Sequence, residues 1–235
     1  MIKAICFDFN GVIIDDERLQ MTAYQQVLQQ IGIELSEAQY FAALGMDDRT
    51  FVRTALERAG RLTHETTEAV LQAKSEVHRK MIEDDLPLFP GVVTFLKASA
   101  RHFSLGLVSM ADKNEISYVF ERAQLCELFT IVVTADDVPV CKPDPACYQR
   151  AMEKLNERRR DARVLPLLPR ECLVVEDSPP GIQSGKAAGM RTLGVTNTVS
   201  EAQLRAVGAE VVTAGLADWN VDLSLIHISE PTRPY

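Results

Sequence analysis

The chain has 235 residues, of which 46% are hydrophobic and 25% charged, as expected for one large soluble domain or a domain with an insert. Its net charge of -8 argues against a nucleic-acid or anionic-membrane partner, and no apolar run approaches the roughly 20 residues of a membrane-spanning helix. Its five cysteines form no CxxC pair, and a core strand begins almost at the N-terminus. We therefore expect a cytoplasmic protein with reduced thiols.

The first predicted element is an apolar strand in the run KAICFDFNGVIID, residues 3–15, which ends at Asp8-Phe9-Asn10-Gly11. A carboxylate at the tip of a buried strand lies at the sheet edge where open α/β folds bind ligands. Gly11 allows a sharp turn there at low steric cost. Taken alone, the motif is equally typical of an ordinary polar turn, so its interpretation depends on the rest of the chain.

The next seventy residues have helical periodicity and contain no convincing strand. Four helices are predicted in this region, at residues 17–31, 36–44, 48–59 and 63–83. They are followed by a proline-punctuated return to the core at residues 87–91. We therefore predict that residues 16–86 form a small all-helical cap, inserted directly after the first strand and beside its tip.

Beyond residue 87, predicted strands and helices alternate. The strands are at 104–109, 131–134, 172–176, 192–195 and 210–212, and the helices are at 92–100, 113–123, 145–156, 181–188 and 201–207. This alternation predicts βαβ units and an α/β fold, with a mostly parallel sheet flanked by helices. Residues 1–15 and 87–223 would form this core.

Two segments fall outside the pattern. Residues 157–170, ERRRDARVLPLLPR, have no clean period, and we interpret them as a surface excursion rather than a nucleic-acid arm. Residues 224–235, SLIHISEPTRPY, lack a core pattern and resemble translated sequencing-adapter read-through. We expect this tail to be non-native and exclude it from functional reasoning.

Chemically reactive side chains follow several of the predicted strands. They are Asp8, Ser109, Lys142 and the pair Glu176-Asp177. In a parallel sheet these positions meet at one edge, where they would supply a nucleophile, a hydroxyl, a cation and an acidic pair. Asp8 and Asp177 suit Mg²⁺, which prefers oxygen ligands. Each residue alone has an ordinary structural explanation, but together they predict phosphoryl transfer from a small phosphorylated metabolite through an aspartyl-phosphate.

Three motifs in these regions resemble the haloacid dehalogenase-like (HAD) hydrolases. They are FDFNGVIID at residues 7–15, CKPDP at 141–145 and VVEDSPPGIQSGKAAGM at 174–190. The resemblance covers about residues 3–220 and is strongest to the subgroup of phosphoglycolate phosphatase and β-phosphoglucomutase. It implies a Rossmann-like core with a helical cap after the first motif.

The resemblance also implies roles for individual residues. Asp8 would be the nucleophile, and Mg²⁺ would be held by Asp8, the backbone carbonyl of Asn10 and Asp177, with Glu176 assisting. Ser109, the backbone of Met110 and Lys142 would hold the phosphate. In the cap, the expected substrate contacts are Lys74, Arg49 and Gln20.

The chain departs from the family pattern at two positions. Asn10 stands where most of these phosphatases have the aspartate that acts as general acid and base, a contribution of typically about 10²–10⁴-fold. Gln20 stands where the subgroup often has histidine. The enzyme would then use better leaving groups, borrow a proton donor such as Glu17 or Asp16, or be a weak catalyst or a phospho-ligand binder.

The leading hypothesis is a Mg²⁺-dependent phosphatase, because the metal and phosphate residues are complete. A phosphomutase of the β-phosphoglucomutase type is the alternative among enzymes, suggested by Lys74. A non-catalytic phospho-ligand binder is the alternative from another class. We expect a monomer, with a homodimer as the second option.

Overall fold

The computed structural model describes residues 1–217, so the expected non-native tail at residues 224–235 lies outside the described part. The described strands are β1 (Ala4–Phe7), β2 (Ser104–Val108), β3 (Ile131–Val133), β4 (Cys172–Glu176), β5 (Arg191–Val195) and β6 (Val211–Thr213). They form one sheet in the order β3-β2-β1-β4-β5-β6, and each neighbouring pair is parallel. Strand β1 therefore lies in the middle of the sheet.

Helices connect these strands. They are α1 (Glu17–Gln30), α2 (Glu37–Phe41), α3 (Asp48–Arg58), α4 (His64–Met81), α5 (Val92–Ser99), α6 (Lys113–Ala123), α7 (Ala146–Asp161), α8 (Pro179–Ala187) and α9 (Glu201–Ala206). The predicted fold class is confirmed: a Rossmann-like α/β sheet flanked by helices. Helices α1 to α4 follow β1 directly, whereas the others alternate with the strands.

The central strand is buried on both faces, and the strand period of two divides its side chains between two apolar clusters. Ile5 and Phe7 pack into one cluster, which also contains residues of α5 and α6. Ala4 and Cys6 pack into the other, which contains residues of α7. Because β1 is fixed in this way, the residue that follows it, Asp8, is held at the carboxyl edge of the sheet.

Helices α1 to α4 have an apolar core of their own. Its buried members include Tyr24 and Leu28 on α1, Phe51 and Leu56 on α3, and Val70 on α4. Helix α4 begins at a capping box, in which the Thr63 and Thr66 side chains each accept a hydrogen bond from the other residue's backbone N–H. A cap role for these helices and domain boundaries at residues 15/16 and 86/87 stay predictions.

The largest difference from the predicted boundaries is at the end of α7. Helix α7 continues to Asp161, five residues beyond the expected end at Asn156. The three arginines at 158–160 occupy its last turn, where basic side chains favour the negative end of the helix dipole. Residues 162–168 of the arginine- and proline-rich segment are a loop, which a 2.6 Å hydrogen bond from the Leu167 N–H to Asn156 Oδ1 attaches to the helix.

Two expectations from composition concern the membrane and the thiols. In the part of the chain that the structure describes, none of the helices is both long and apolar enough to cross a bilayer. The five cysteines are all free; Cys6, Cys147 and Cys172 are buried, whereas Cys126 is exposed.

Candidate active site

Lys142 joins two acidic residues that come from different strands. Its Nζ lies 3.0 Å from Asp8 Oδ1, just after β1, and 2.7 Å from Glu176 Oε1, at the end of β4. It also donates to the Val108 carbonyl at 3.2 Å, at the end of β2. The Lys142 side chain is 2% exposed. The structure thus brings the predicted nucleophile and the predicted cation together at the carboxyl edge of the sheet.

Asp8, Glu176 and Asp177 form an acidic cluster in which one carboxylate oxygen of each lies within 4.8 Å of the others. Burial and Glu176 raise the pKa of Asp8 to about 7, although Lys142 acts in the opposite direction. Burial, Glu176 and Asp8 also raise the pKa of Asp177 well above its usual range. Among residues 1–217, these three clustered carboxyl groups have only one lysine beside them to balance their negative charge, and their hard oxygen atoms suit Mg²⁺. The residues present therefore fit the expected metal.

Glu176 is held on several sides. Its Oε1 accepts a 2.6 Å hydrogen bond from the Tyr148 hydroxyl as well as contacting Lys142, and its Oε2 accepts one from Ser178 Oγ at 3.2 Å. The carboxylate rests against Gly181 on α8, where any side chain would overlap it. Glu176 therefore fixes the Lys142 ammonium beside Asp8, and assistance to the metal stays a prediction.

The turn after β1 and the loop after β5 hold Asp177 in place. The Thr198 hydroxyl donates to Asp177 Oδ2, and Asn197 Nδ2 donates to the Gly11 carbonyl at 2.7 Å. Gly11 has φ +71°, and a Cβ there would overlap the Asp177 carboxylate. Asn197 and Thr198 were not predicted from the sequence, although their position after β5 places them at the same sheet edge.

We expect Gly11→Ala to raise the Mg²⁺ concentration needed for half-maximal activity by about 10–100-fold. This is the usual effect of mutating a residue that orients a metal ligand. The added methyl group would push Asp177 away from the acidic cluster. A Mg²⁺ titration of phosphate release measures the effect. Gly60→Ala is the matched control, because Gly60 has φ +64° but no neighbouring atom within 4 Å of where a Cβ would lie. Equal Mg²⁺ requirements in the two variants would show that Gly11 is not needed to keep Asp177 in the acidic cluster.

The residues expected to bind phosphate follow β2. Ser109 and Met110 are buried and line a cavity of about 90 Å³ together with Asp8, Lys142 and Asp177. The Ser109 Oγ accepts a 3.1 Å hydrogen bond from the backbone N–H of Ala111. The cavity thus has the predicted nucleophile, hydroxyl and cation on its wall.

Asn10 is bound to a buried carboxylate that the sequence analysis named only as a possible proton donor. Its Nδ2 donates to both oxygens of Asp16, at 2.9 and 3.0 Å. Gln20 Nε2 also donates to Asp16, at 3.0 Å, and His78 Nε2 lies 3.0 Å from the same oxygen. An aspartate at position 10 would instead face Asp16 with like charge. The Asn10 amide can therefore donate hydrogen bonds to Asp16, where a second carboxylate would repel it.

Comparison with known proteins identifies the family. A family model of the haloacid dehalogenase-like hydrolases matches residues 2–189. The chain belongs to this family. The expected resemblance and the expected hydrolase class are thereby confirmed.

Three of the similar proteins match most of this chain. YhcW of Bacillus subtilis, named as a candidate phosphatase, is 31% identical, and the match covers 85% of this chain and 86% of that protein. The phosphorylated carbohydrates phosphatase of Thermotoga maritima is 26% identical over 85% of this chain and 88% of its own length. A crystal structure of β-phosphoglucomutase from Clostridium difficile has a TM-score of 0.82 at 20% identity, covering 97% of each chain. This last similarity shows a shared fold.

Two residues expected to contact substrate in this HAD-like hydrolase are not among those that line the cavity beside Asp8. Lys74 is 1% exposed, and its Nζ lies 2.8 Å from both Asp48 and Glu115. Burial lowers the pKa of Lys74, but the two carboxylates outweigh burial and raise it. Arg49 pairs with Glu68 at the surface of the helical unit. The structure therefore does not bring Lys74 or Arg49 to the cavity beside Asp8, because carboxylates hold both, whereas Gln20 does line that cavity.

Proposed function

We propose that this HAD-like hydrolase is a Mg²⁺-dependent phosphatase that acts on a small phosphorylated metabolite through an aspartyl-phosphate at Asp8. The observation that carries the proposal is the convergence of Asp8, Lys142 and the acidic cluster on one cavity. Asp8 would attack phosphorus, while the Lys142 ammonium stabilises the charge of the phosphoryl oxygens. Mg²⁺, when bound by Asp8 and Asp177, would neutralise charge on the same group.

The charge of the cavity wall restricts the leaving group. Helices α1, α3 and α6 contribute the carboxyl groups of Glu17, Asp48 and Glu115 to the wall. Among the lining residues within positions 1–217, the basic side chain is Lys142, and Asp8 and Glu176 already pair with it. Lys74 pairs with both Asp48 and Glu115 and so offsets only part of their charge, and a substrate with a carboxylate or a second phosphate would still meet net like charge on the wall. An uncharged leaving group avoids this cost.

Gln20 indicates that the leaving group carries hydroxyls. Its Nε2 donates to two carboxylates, those of Asp16 at 3.0 Å and Glu115 at 3.1 Å, which fixes the orientation of the amide. Its Oε1 is buried and, within the described residues, has no hydrogen-bond partner. Gln20 lines the cavity, and because a buried oxygen without a partner calls for one, a substrate hydroxyl is the partner proposed here for Oε1. Sugar and polyol monophosphates have this chemistry.

The same geometry favours a phosphatase over the phosphomutase alternative. A sugar phosphomutase must bind a second phosphoryl group, which calls for a second cation at the cavity. The candidate for this role was Lys74, but its ammonium is buried between Asp48 and Glu115.

A panel of phosphate esters tests the proposal. With Mg²⁺, we expect kcat/KM for sorbitol 6-phosphate or glucose 6-phosphate to exceed that for phosphoglycolate and pyrophosphate by at least about tenfold, which corresponds to roughly 1.4 kcal/mol of unfavourable interaction. Phosphate release is followed with and without EDTA, and every activity in the panel should require Mg²⁺.

The two parts of the proposal fail differently. If phosphoglycolate or pyrophosphate is the best substrate, the charge of the cavity wall does not select the leaving group, but the protein is still a phosphatase. If no ester in the panel, acyl phosphates included, gives Mg²⁺-dependent phosphate release, the phosphatase itself is wrong.

A further inference from the structure

The proposed phosphatase lacks an obvious proton donor for an alkoxide leaving group. The Asn10 amide does not titrate, and its Nδ2 is bound to Asp16. Asp16 is fully buried, and Asn10 and Gln20 donate hydrogen bonds to its oxygens. Among the described residues, Asp16 is not on the cavity wall. Neither residue is therefore placed to hand a proton to a substrate.

Glu17, the next residue along the chain, is placed differently. It begins α1 and lines the same cavity as Asp8 and Asn10. Unlike Asp16 it is partly exposed. Its Oε2 accepts a 2.8 Å hydrogen bond from the Tyr40 hydroxyl on α2, which orients the carboxyl group and leaves Oε1 for a substrate. Its carboxyl group is thus held at the cavity wall by one partner.

We infer that Glu17 is the general acid and base of the proposed reaction. As the bond between Asp8 and phosphorus forms, the ester P–O bond breaks, and the Glu17 carboxyl proton passes to the leaving oxygen. In the second half, water attacks phosphorus and gives its proton to Glu17, while the bond from phosphorus to Asp8 breaks. Phosphate leaves, and Asp8 and Glu17 regain their starting states.

The charges around Glu17 suit both halves of this cycle. The groups that face it are Asp16 at the N-cap of α1, Asp8 after β1, Asp177 after β4, Tyr40 on α2 and Lys74 on α4. Burial, Asp16 and Asp8 raise the pKa of Glu17 to about 7, against the opposite effects of Tyr40 and Lys74. A carboxyl group that titrates near neutral pH can both donate and accept a proton during turnover.

The inference is tested with Glu17→Gln, which keeps an acceptor for the Tyr40 hydroxyl but cannot carry the proton. We expect kcat for a sugar phosphate to fall by at least about 10²-fold. With nitrophenyl phosphate, whose leaving oxygen needs no proton, the first half should persist. Rapid mixing should then show a burst of nitrophenolate, followed by slow phosphate release from accumulated phosphoenzyme.

Glu37→Gln is the matched control, because it removes an exposed carboxylate from the same helical unit. The Glu37 carboxylate lies 3.6 Å from the exposed Arg18 guanidinium. Turnover of the sugar phosphate within about threefold of the parent in Glu17→Gln would overturn the inference, because general acid–base catalysis contributes far more. A folded Glu17→Gln variant that loses both the nitrophenolate burst and the sugar phosphate activity would also overturn the inference, since Glu17 would then only position the substrate. If the parent protein itself has no phosphatase activity, the proposed function on which this inference rests is wrong.

Discussion

Replacing Asp8 with asparagine is expected to lower Mg²⁺-dependent phosphate release by at least about 10⁴-fold, the scale on which removal of a covalent nucleophile acts. The amide that replaces the carboxylate has almost the same shape but cannot attack phosphorus. Steady-state phosphate release at saturating Mg²⁺ measures the loss. Asp15→Asn is the control, because Asp15 is an exposed carboxylate on the same segment.

The same variant also tests whether Asp8 is buried among negative charges. The pKa of Asp8 is raised to about 7 from an ordinary value of 3.8, so the folded protein binds the proton more tightly than the unfolded chain. Ionisation of Asp8 therefore destabilises the metal-free protein as the pH rises from about 4 to about 7.

Asp8→Asn lacks this ionisation. Relative to the parent, its free energy of unfolding in EDTA should increase over that pH range, by at most roughly 4 kcal/mol. Urea unfolding at several pH values measures the difference. A difference that does not change with pH would contradict the electrostatic picture of the acidic cluster.

Lys142→Met is expected to reduce kcat by about 10²–10³-fold, as for loss of an electrostatic contact to the transition state. It should also lower the free energy of unfolding by about 3–5 kcal/mol, because removing one partner leaves buried charges uncompensated. Those charges are Asp8, 3.0 Å from the ammonium, and Glu176, 2.7 Å from it. Phosphate-release kinetics and urea unfolding measure the two effects.

Lys154→Met provides the comparison for Lys142. Lys154 also pairs with an aspartate, Asp137, at 2.7 Å, but the two side chains are 23% and 27% exposed and lie away from the cavity. Its loss should cost about 1 kcal/mol or less and leave kcat unchanged. If the two lysine variants lost similar stability and neither lost activity, Lys142 would be an ordinary structural lysine.

The parts of the fold and site that follow from local pattern could be predicted from the sequence. Each buried strand is a short apolar run, and the residue after it must lie at the carboxyl edge of a parallel sheet. That rule alone places Asp8, Ser109 and Asp177 on one cavity, as the structure shows. Lys142 lies farther along the loop after β3, and the resemblance of CKPDP to the family motif supports its assignment to the same edge.

The partners of the charged side chains could not be predicted in the same way. Periodicity places Lys74 on a helix, but its contact with Glu115 spans 41 residues and depends on how α4 packs against α6. The burial of Asp16 likewise depends on Asn10, Gln20 and His78, which come from three separate segments. Such tertiary contacts decide which charges remain available to a substrate, and the sequence pattern does not contain them.

The central claim is that Asp8 becomes phosphorylated during turnover. Acid quenching during steady-state turnover of a good substrate, followed by mass mapping of the peptides, tests it directly. The account predicts a phosphoryl group on Asp8 in the parent, accumulating in Glu17→Gln with nitrophenyl phosphate and absent from Asp8→Asn. Phosphate release that proceeds with the phosphoryl group on another residue, or undiminished in Asp8→Asn, would contradict it.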